Sequence, residues 1–228
     1  METIVVRRHS TVAHEAQVMR GVRSHGLPVP LVFAVDDKAQ LYEPSMTMEF
    51  INGTTDVPKD FINDAVKQMA RFLSQLHSLN HASFDLPVST IPSRNRPCVL
   101  QGDFWPGNVL WREHAIAAVI DWEDTSIGDP LADLATARIE LFAAFGDQAM
   151  RRFTDHYLSA DTTIDTADLP YWEYYASAGA LAAMDQWGLE PDDLANRQTM
   201  TTIRMNAAVD AIRHSPVPGP GLPLAPEF

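Results

Sequence analysis

The spacing of apolar positions changes character near residue 53. Ahead of that point the apolar runs are short. Thr3-Ile4-Val5-Val6-Arg7 is strand-like, and a helix is predicted over 12–25, where Ala16, Val18, Met19 and Val22 recur at helical spacing. Gly26-Leu27-Pro28-Val29-Pro30 ends it, because glycine and proline do not continue a helix cheaply. Two strands follow, over 31–35 and 46–51, around a polar hairpin at Asp36-Asp37-Lys38, and Asn52-Gly53 turns the chain out of this unit.

Beyond residue 53 the period becomes helical. Over 60–79, Phe61, Ala65, Met69, Phe72, Leu73 and Leu76 form one apolar stripe with Lys67, Arg71 and Gln75 off it. A connector rich in Pro and Ser over 86–97 leads to two short strands, 99–100 and 117–120. Past Pro130 four helices are predicted, over about 131–145, 147–158, 170–187 and 193–213. Ser215-Pro216-Val217-Pro218-Gly219-Pro220-Gly221 is too rich in Pro and Gly for regular structure, and fraying is expected there. The pattern predicts an α+β chain in three parts: a small N-terminal lobe over 1–53, a larger, mainly helical C-terminal lobe over 54–214, and a tail over 215–228.

Composition narrows the classes. A net charge of −13 argues against a nucleic-acid binder, which needs clustered Lys and Arg. It agrees with a soluble surface and, at long range, with a cationic ligand. No apolar run approaches the roughly 20 residues of a membrane helix. Cys98 is the sole cysteine, which rules out an intrachain disulfide and fits a reducing cytoplasm.

Chemistry gathers in one segment. Gln101-Gly102-Asp103-Phe104-Trp105-Pro106-Gly107-Asn108-Val109-Leu110 places a carboxylate after an apolar pair, in a loop loosened by glycine, with an amide five residues on. Ile120-Asp121-Trp122-Glu123-Asp124 delivers a second carboxylate. An Asp that orients a hydroxyl, with an Asn and an Asp as hard oxygen ligands for magnesium, is the equipment of phosphoryl transfer. Singly, each of these residues reads as a turn or a cap; in this order they are far more specific.

The two segments resemble the signature loop and metal-binding segment of the aminoglycoside phosphotransferase and choline kinase-like family, which has a protein-kinase-like fold. Gly128-Asp129-Pro130-Leu131-Ala132-Asp133 resembles that family's usual sequel. The resemblance implies a bilobal fold, ATP and Mg2+ as cofactors, and transfer to a hydroxyl of a small molecule. It implies Asp103 as the catalytic or hydroxyl-orienting residue, and Asn108 and Asp121 as metal ligands. Arg7 matches the cation that meets nucleotide phosphates (Arg8 competes for that role), and Glu15 the acid that pairs with it. Met48-Glu49-Phe50-Ile51 resembles the hinge that would hold the adenine ring through its backbone. Asp129 and Asp133 match architectural positions, and an Asp near a helix start caps backbone N–H groups.

Two departures stand out. Gln101 replaces the family's usual His. The phosphate-covering hairpin that would precede the Arg7 strand is not in the sequence, so the N-terminal sheet is expected to lack two strands. A start codon assigned downstream of the true one, or a truncated form, would account for this. The rival function is therefore a non-catalytic remnant that binds a small molecule or a protein. Other candidates are weaker. His77 and His81 have metal-ligand spacing without a third ligand. Glu173, Asp185, Asp192 and Asp193, with Trp172 and Trp187, fall where the family binds its acceptor, and Met184, Met200 and Met205 read as core.

Overall fold

The computed structural model describes residues 3–7, 12–36 and 44–215, the first of these stretches by its backbone alone. Strand β1 (Thr3–Arg7), helix α1 (Val12–Ser24), β2 (Val32–Asp36) and β3 (Ser45–Glu49) make the N-terminal unit. β3 is central and pairs antiparallel with both neighbours, in the order β1-β3-β2. α1 buries Val12, Ala16, Val18, Met19 and Val22, the residues whose spacing predicts it. The hairpin tip at Asp37 and Lys38, the side chains of Arg7 and Arg8, and the tail from residue 216 lie outside the described residues.

The rest is mainly helical: α2 (Ile62–His77), α3 (Leu131–Phe145), α4 (Asp147–Ala160), α5 (Leu169–Ala183) and α6 (Pro191–Arg213). Helix α2 packs on α4, α3 on α4 and α5, and α5 on α6. The apolar stripe of α2 is buried from Ala65 to Leu76. Each large side chain taken out of water there stabilises the fold by roughly 1.5–3 kcal/mol. The expected helix over 170–187 stops at Ala183 and tightens into a single 3-10 turn, Met184–Gln186. Of the methionines read as core, Met184 is buried, whereas Met200 and Met205 are half-buried.

Two short hairpin-like pairs carry the chemical segment. The expected strands near 99–100 and 117–120 form but do not pair with each other. β4 (Cys98–Leu100) pairs with β7 (Ser126–Gly128), and β5 (Val109–Arg112) pairs with β6 (Ala115–Val119). The loop between β4 and β5 is thus clamped at both ends. Beneath it, Phe104 stacks on Phe72 of α2 with ring centroids 5.6 Å apart, and Trp122 lies 6.3 Å from Phe72. Phe104 and Trp122 are both fully buried.

Backbone hydrogen bonds tie the N-terminal unit to this platform. The Val119 N–H donates to the Pro28 carbonyl (2.8 Å), and Thr54, the first residue past that unit, exchanges hydrogen bonds with Trp111.

Candidate active site

The loop after β4 is held from three directions. Asp133, in the first turn of α3 and buried, accepts the Gln101 N–H at 2.7 Å and the Gly102 N–H at 2.9 Å. His77 of α2 donates from Nε2 to the Asp133 carboxylate (3.1 Å) and is hydrogen-bonded through Nδ1 to the Tyr157 hydroxyl (2.6 Å), so it serves this brace. Gln101 is fully buried. Its amide nitrogen donates to the Ile120 and Asp121 carbonyls, and its amide oxygen accepts the Asp103 N–H at 2.7 Å. The residue that replaces the family's His therefore joins the loop to the Asp121 segment through both ends of its side chain.

Gly102 shows how closely these segments approach. Its φ is +91°, and a Cβ built there would lie 2.3 Å from the Asp124 carbonyl oxygen. Only glycine satisfies both the left-handed backbone and that contact. Asp121 is also left-handed, at φ 62°, a conformation that Asp tolerates better than most residues.

Asp103 follows at once. The Asn108 side-chain nitrogen donates to the Asp103 carboxylate and to its backbone carbonyl, both at 2.9 Å. With that nitrogen turned to Asp103, the amide oxygen is the Asn108 atom a cation would meet. The Asn108 carbonyl accepts the Ile120 N–H at 3.0 Å, which brings Asn108 and the Asp121 segment side by side. Burial pushes the Asp103 carboxyl up to about 6, against the Asn108 hydrogen bond; Asp121, Asp124 and Glu140 add to the rise. The structure thus brings Asp103, Asn108 and Asp121 together.

The other expected site residues fall further out. Buried Glu15 accepts the Trp122 N–H at 3.3 Å, linking α1 to the residue after Asp121. Arg7 ends β1 opposite Ser45, and its side chain lies outside the described residues. The Glu49 carboxylate accepts the Leu31 N–H (3.2 Å) and lies 3.7 Å from Arg23, so the side chain braces the end of β3 against the entry to β2 and the end of α1. Glu49, Phe50 and Ile51 border a cavity of about 440 Å³ with Arg23, Leu27 and Arg112, and Phe50 is 46% exposed. Asp129 caps α3 through the Leu131 N–H at 2.9 Å and binds Ser93 and Asn95.

A cleft opens on the α3, α5 and α6 side of Asp103. It has one chamber of about 440 Å³ and another of about 320 Å³, and both are bordered by Asp103, Glu140 and Trp187. Volumes of this size suit a small molecule. Trp172 and Trp187 border it as the sequence suggests. Glu173 does not: it is buried between Arg138 (2.7 Å) and Arg204 (2.6 Å), a structural ion pair and no acceptor contact. Asp185 is exposed and accepts from Gln198. Sequence reasoning missed Glu140, which lies two turns along α3 from Asp133 on the same face; that spacing was the available signal.

A braced loop between β4 and β5, beside a cleft of small-molecule size, agrees with a phosphotransferase of kinase-like fold. The sequence profile of the phosphotransferase enzyme family matches residues 3–95 and 86–175, and the chain belongs to that family. No protein of curated function matches it. Among solved structures it resembles a Ralstonia eutropha protein assigned as an aminoglycoside phosphotransferase, with TM-score 0.69 and 14% identity over 91% of this chain and 86% of that one. It also resembles a thermostable mutant of aminoglycoside phosphotransferase APH(4)-Ia bound to AMP-PNP and hygromycin B. There the TM-score is 0.66 and the identity 14%, over 92% and 85% of the two chains. The GDP complex of aminoglycoside 2'-phosphotransferase-IIIa gives 0.61 and 15% over 85% and 81%. At such identities these likenesses establish the fold, a bilobal protein-kinase-like architecture with reduced sheet content.

Proposed function

We propose that the chain transfers the γ-phosphoryl group of ATP to a hydroxyl of a small molecule, with Asp103 as the residue that orients the acceptor. One observation carries this reading: the Asn108 side chain is bonded to the Asp103 carboxylate while Gln101 ties the same loop to the Asp121 backbone. An orienting carboxylate and two hard oxygen donors are thereby set within one loop and its neighbour. Asp103 accepts a hydrogen bond from the acceptor hydroxyl and aims the hydroxyl oxygen at the γ-phosphorus. It receives the proton as the new P–O bond forms and the bond from the γ-phosphorus to the β–γ bridging oxygen breaks, with ADP leaving. Its neighbours in this role are Asn108, which fixes the carboxylate, and Gly102, which lets the two segments close.

The donor set fits magnesium: Asn108 Oδ1 and the Asp121 carboxylate are hard oxygen ligands of the kind that ion takes. When bound, the ion would offset the charge of the phosphate oxygens. Arg7 and Glu15 would form the cation and its acid on the nucleotide side, and the backbone of Glu49, Phe50 and Ile51 the hinge. The site lies where the unit over 1–53 meets the lobe over 54–214, and we place the enzyme in the cytoplasm. AMP-PNP and GDP in the similar structures support nucleotide use.

The test is direct. Asp103→Ala is expected to abolish acceptor-dependent ADP release while leaving Mg-ATP thermal stabilisation within about twofold of the parent in apparent affinity. Asp121→Ala is expected to weaken that stabilisation and its dependence on Mg2+. An Asp103→Ala chain as active as the parent would sink the assignment. A parent chain that Mg-ATP does not stabilise would favour the non-catalytic remnant.

A further inference from the structure

Arg197 carries α6 to the loop that holds Asp103. It lies in the second turn of that helix, whose main packing is against α5 and α3. Its guanidinium donates to Glu140 of α3 and also lies over the indole of Trp105, 4.9 Å from the ring centroid. Glu140 is buried and Arg197 largely so, which shields the pair from salt. Burial raises the Glu140 carboxyl, and the arginine pulls it back toward the charged form.

Trp105 opens the turn that carries Asn108. Pro106–Asn108 is a single 3-10 turn, closed by the Asn108 N–H on the Trp105 carbonyl at 3.0 Å. The indole folds back onto this turn, since a Cβ built on Gly107 would lie 2.1 Å from the ring. That approach needs a glycine. The ring thus rests on the turn beneath a guanidinium that α3 anchors, and the turn presents the Asn108 side chain that fixes the Asp103 carboxylate. Helix α3 therefore grips the loop twice. Asp133 holds its start through the Gln101 and Gly102 amides, and Glu140, two turns on, holds its middle through Arg197 and Trp105. Trp105, Glu140 and Arg197 border the smaller chamber together with Asp103, so this stack stands at the cleft itself.

Resting on the kinase reading, we infer that Arg197 is a positioning residue for phosphoryl transfer. Its guanidinium, anchored by Glu140, keeps the Trp105 indole on the 106–108 turn and so sets the contact between Asn108 and Asp103. Lysine cannot take over both tasks. A guanidinium bonds a carboxylate along its edge while its face covers a ring, whereas an ammonium is a compact point charge.

Hydrogen exchange of the full chain, read by mass spectrometry, tests this, with slow Mg-ATP hydrolysis (water as the acceptor) measured in parallel. Arg197→Lys keeps a cation for Glu140, so its melting temperature is expected to stay within about 2 °C of the parent's. Its peptides over 101–110 are expected to exchange about fivefold faster, the size of one partly exposed cation–π contact, while peptides of α2 and α4 keep the parental rate. The kcat of hydrolysis is expected to fall about fivefold, with affinity for metal-free ATP within about twofold, because the loop orients the acceptor. Arg197→Ala is expected to lose more in both readouts. Parental exchange over 101–110 in Arg197→Lys overturns the inference, and so does faster exchange there with an unchanged kcat. Faster exchange throughout the chain also overturns it, because a plain structural ion pair would act that way. A parent that Mg-ATP neither stabilises nor serves as a substrate overturns the kinase reading instead, while exchange over 101–110 still reports whether Arg197 holds the loop.

Discussion

Asp103 is held in a conflict between its two protonation states. Burial favours the neutral acid, and the proposed phosphoryl transfer needs the carboxylate. With its titration raised to about 6, activity is expected to fall as the pH drops through that value, which an acceptor-dependent rate profile between pH 5 and 8 would show. The same shift has a stability consequence with a definite sign. Between about pH 4 and 6 the folded protein holds a proton that the unfolded chain has released, so ionising Asp103 above pH 6 works against the fold. Asp103→Asn removes that ionisation while keeping an oxygen to accept from Asn108. It is expected to stabilise the protein by about 1–3 kcal/mol at pH 8, with the gain fading toward pH 4. Thermal melts of both proteins at the two pH values check this; equal melting temperatures at pH 8 would contradict it.

At the scale of elements, α3, α5 and α6 are joined by one buried carboxylate. Glu173 of α5 accepts from Arg138 of α3 and Arg204 of α6, and Arg138 also reaches Thr154 of α4. Removing the shared partner strands two largely buried guanidinium groups, so Glu173→Ala is expected to cost about 3–5 kcal/mol in urea denaturation. The helices that form this layer were legible in the sequence. Helices expected over 131–145 and 147–158 form as α3 (Leu131–Phe145) and α4 (Asp147–Ala160). The ion pairs were not legible, because Glu173, Arg138 and Arg204 are far apart in sequence and each resembles a solvated helix position. β7 escaped for another reason: Ser126-Ile127-Gly128 is too short and polar to show an alternating pattern. Within the site, the order of Asp103, Asn108 and Asp121 could be read directly. The brace from His77 and Asp133 could not, since it depends on α2 and α3 meeting under the loop.

Across the whole molecule, one apolar core runs from α1 through the site platform to α4 and α5, with Val12, Val29 and Met46 in the same cluster as Phe104, Trp122 and Phe153. Continuity of this kind predicts one cooperative unfolding transition for the described part of the chain. Urea unfolding followed by tryptophan fluorescence and by far-UV circular dichroism is expected to give coincident midpoints. Separate midpoints would mean that the small sheet unit opens on its own. Glu15 and Pro28 carry the polar side of this union, meeting Trp122 and Val119 from the N-terminal unit. The Asp121 segment is therefore tied to the N-terminal unit as well as to the helical lobe.

Gln101 has one more implication, and it concerns acid tolerance. A glutamine amide neither gains nor loses a proton in the physiological range, so the two carbonyls and the N–H that it joins stay joined as a cell acidifies. A histidine at that position, with an ordinary pKa near 6.5, would change its charge and its hydrogen-bonding roles across the interval in which Asp103 takes up its proton. The tie between the Asp103 loop and the Asp121 segment is thereby independent of ionisation: as mild acid protonates Asp103, the three Gln101 hydrogen bonds lose and gain no proton.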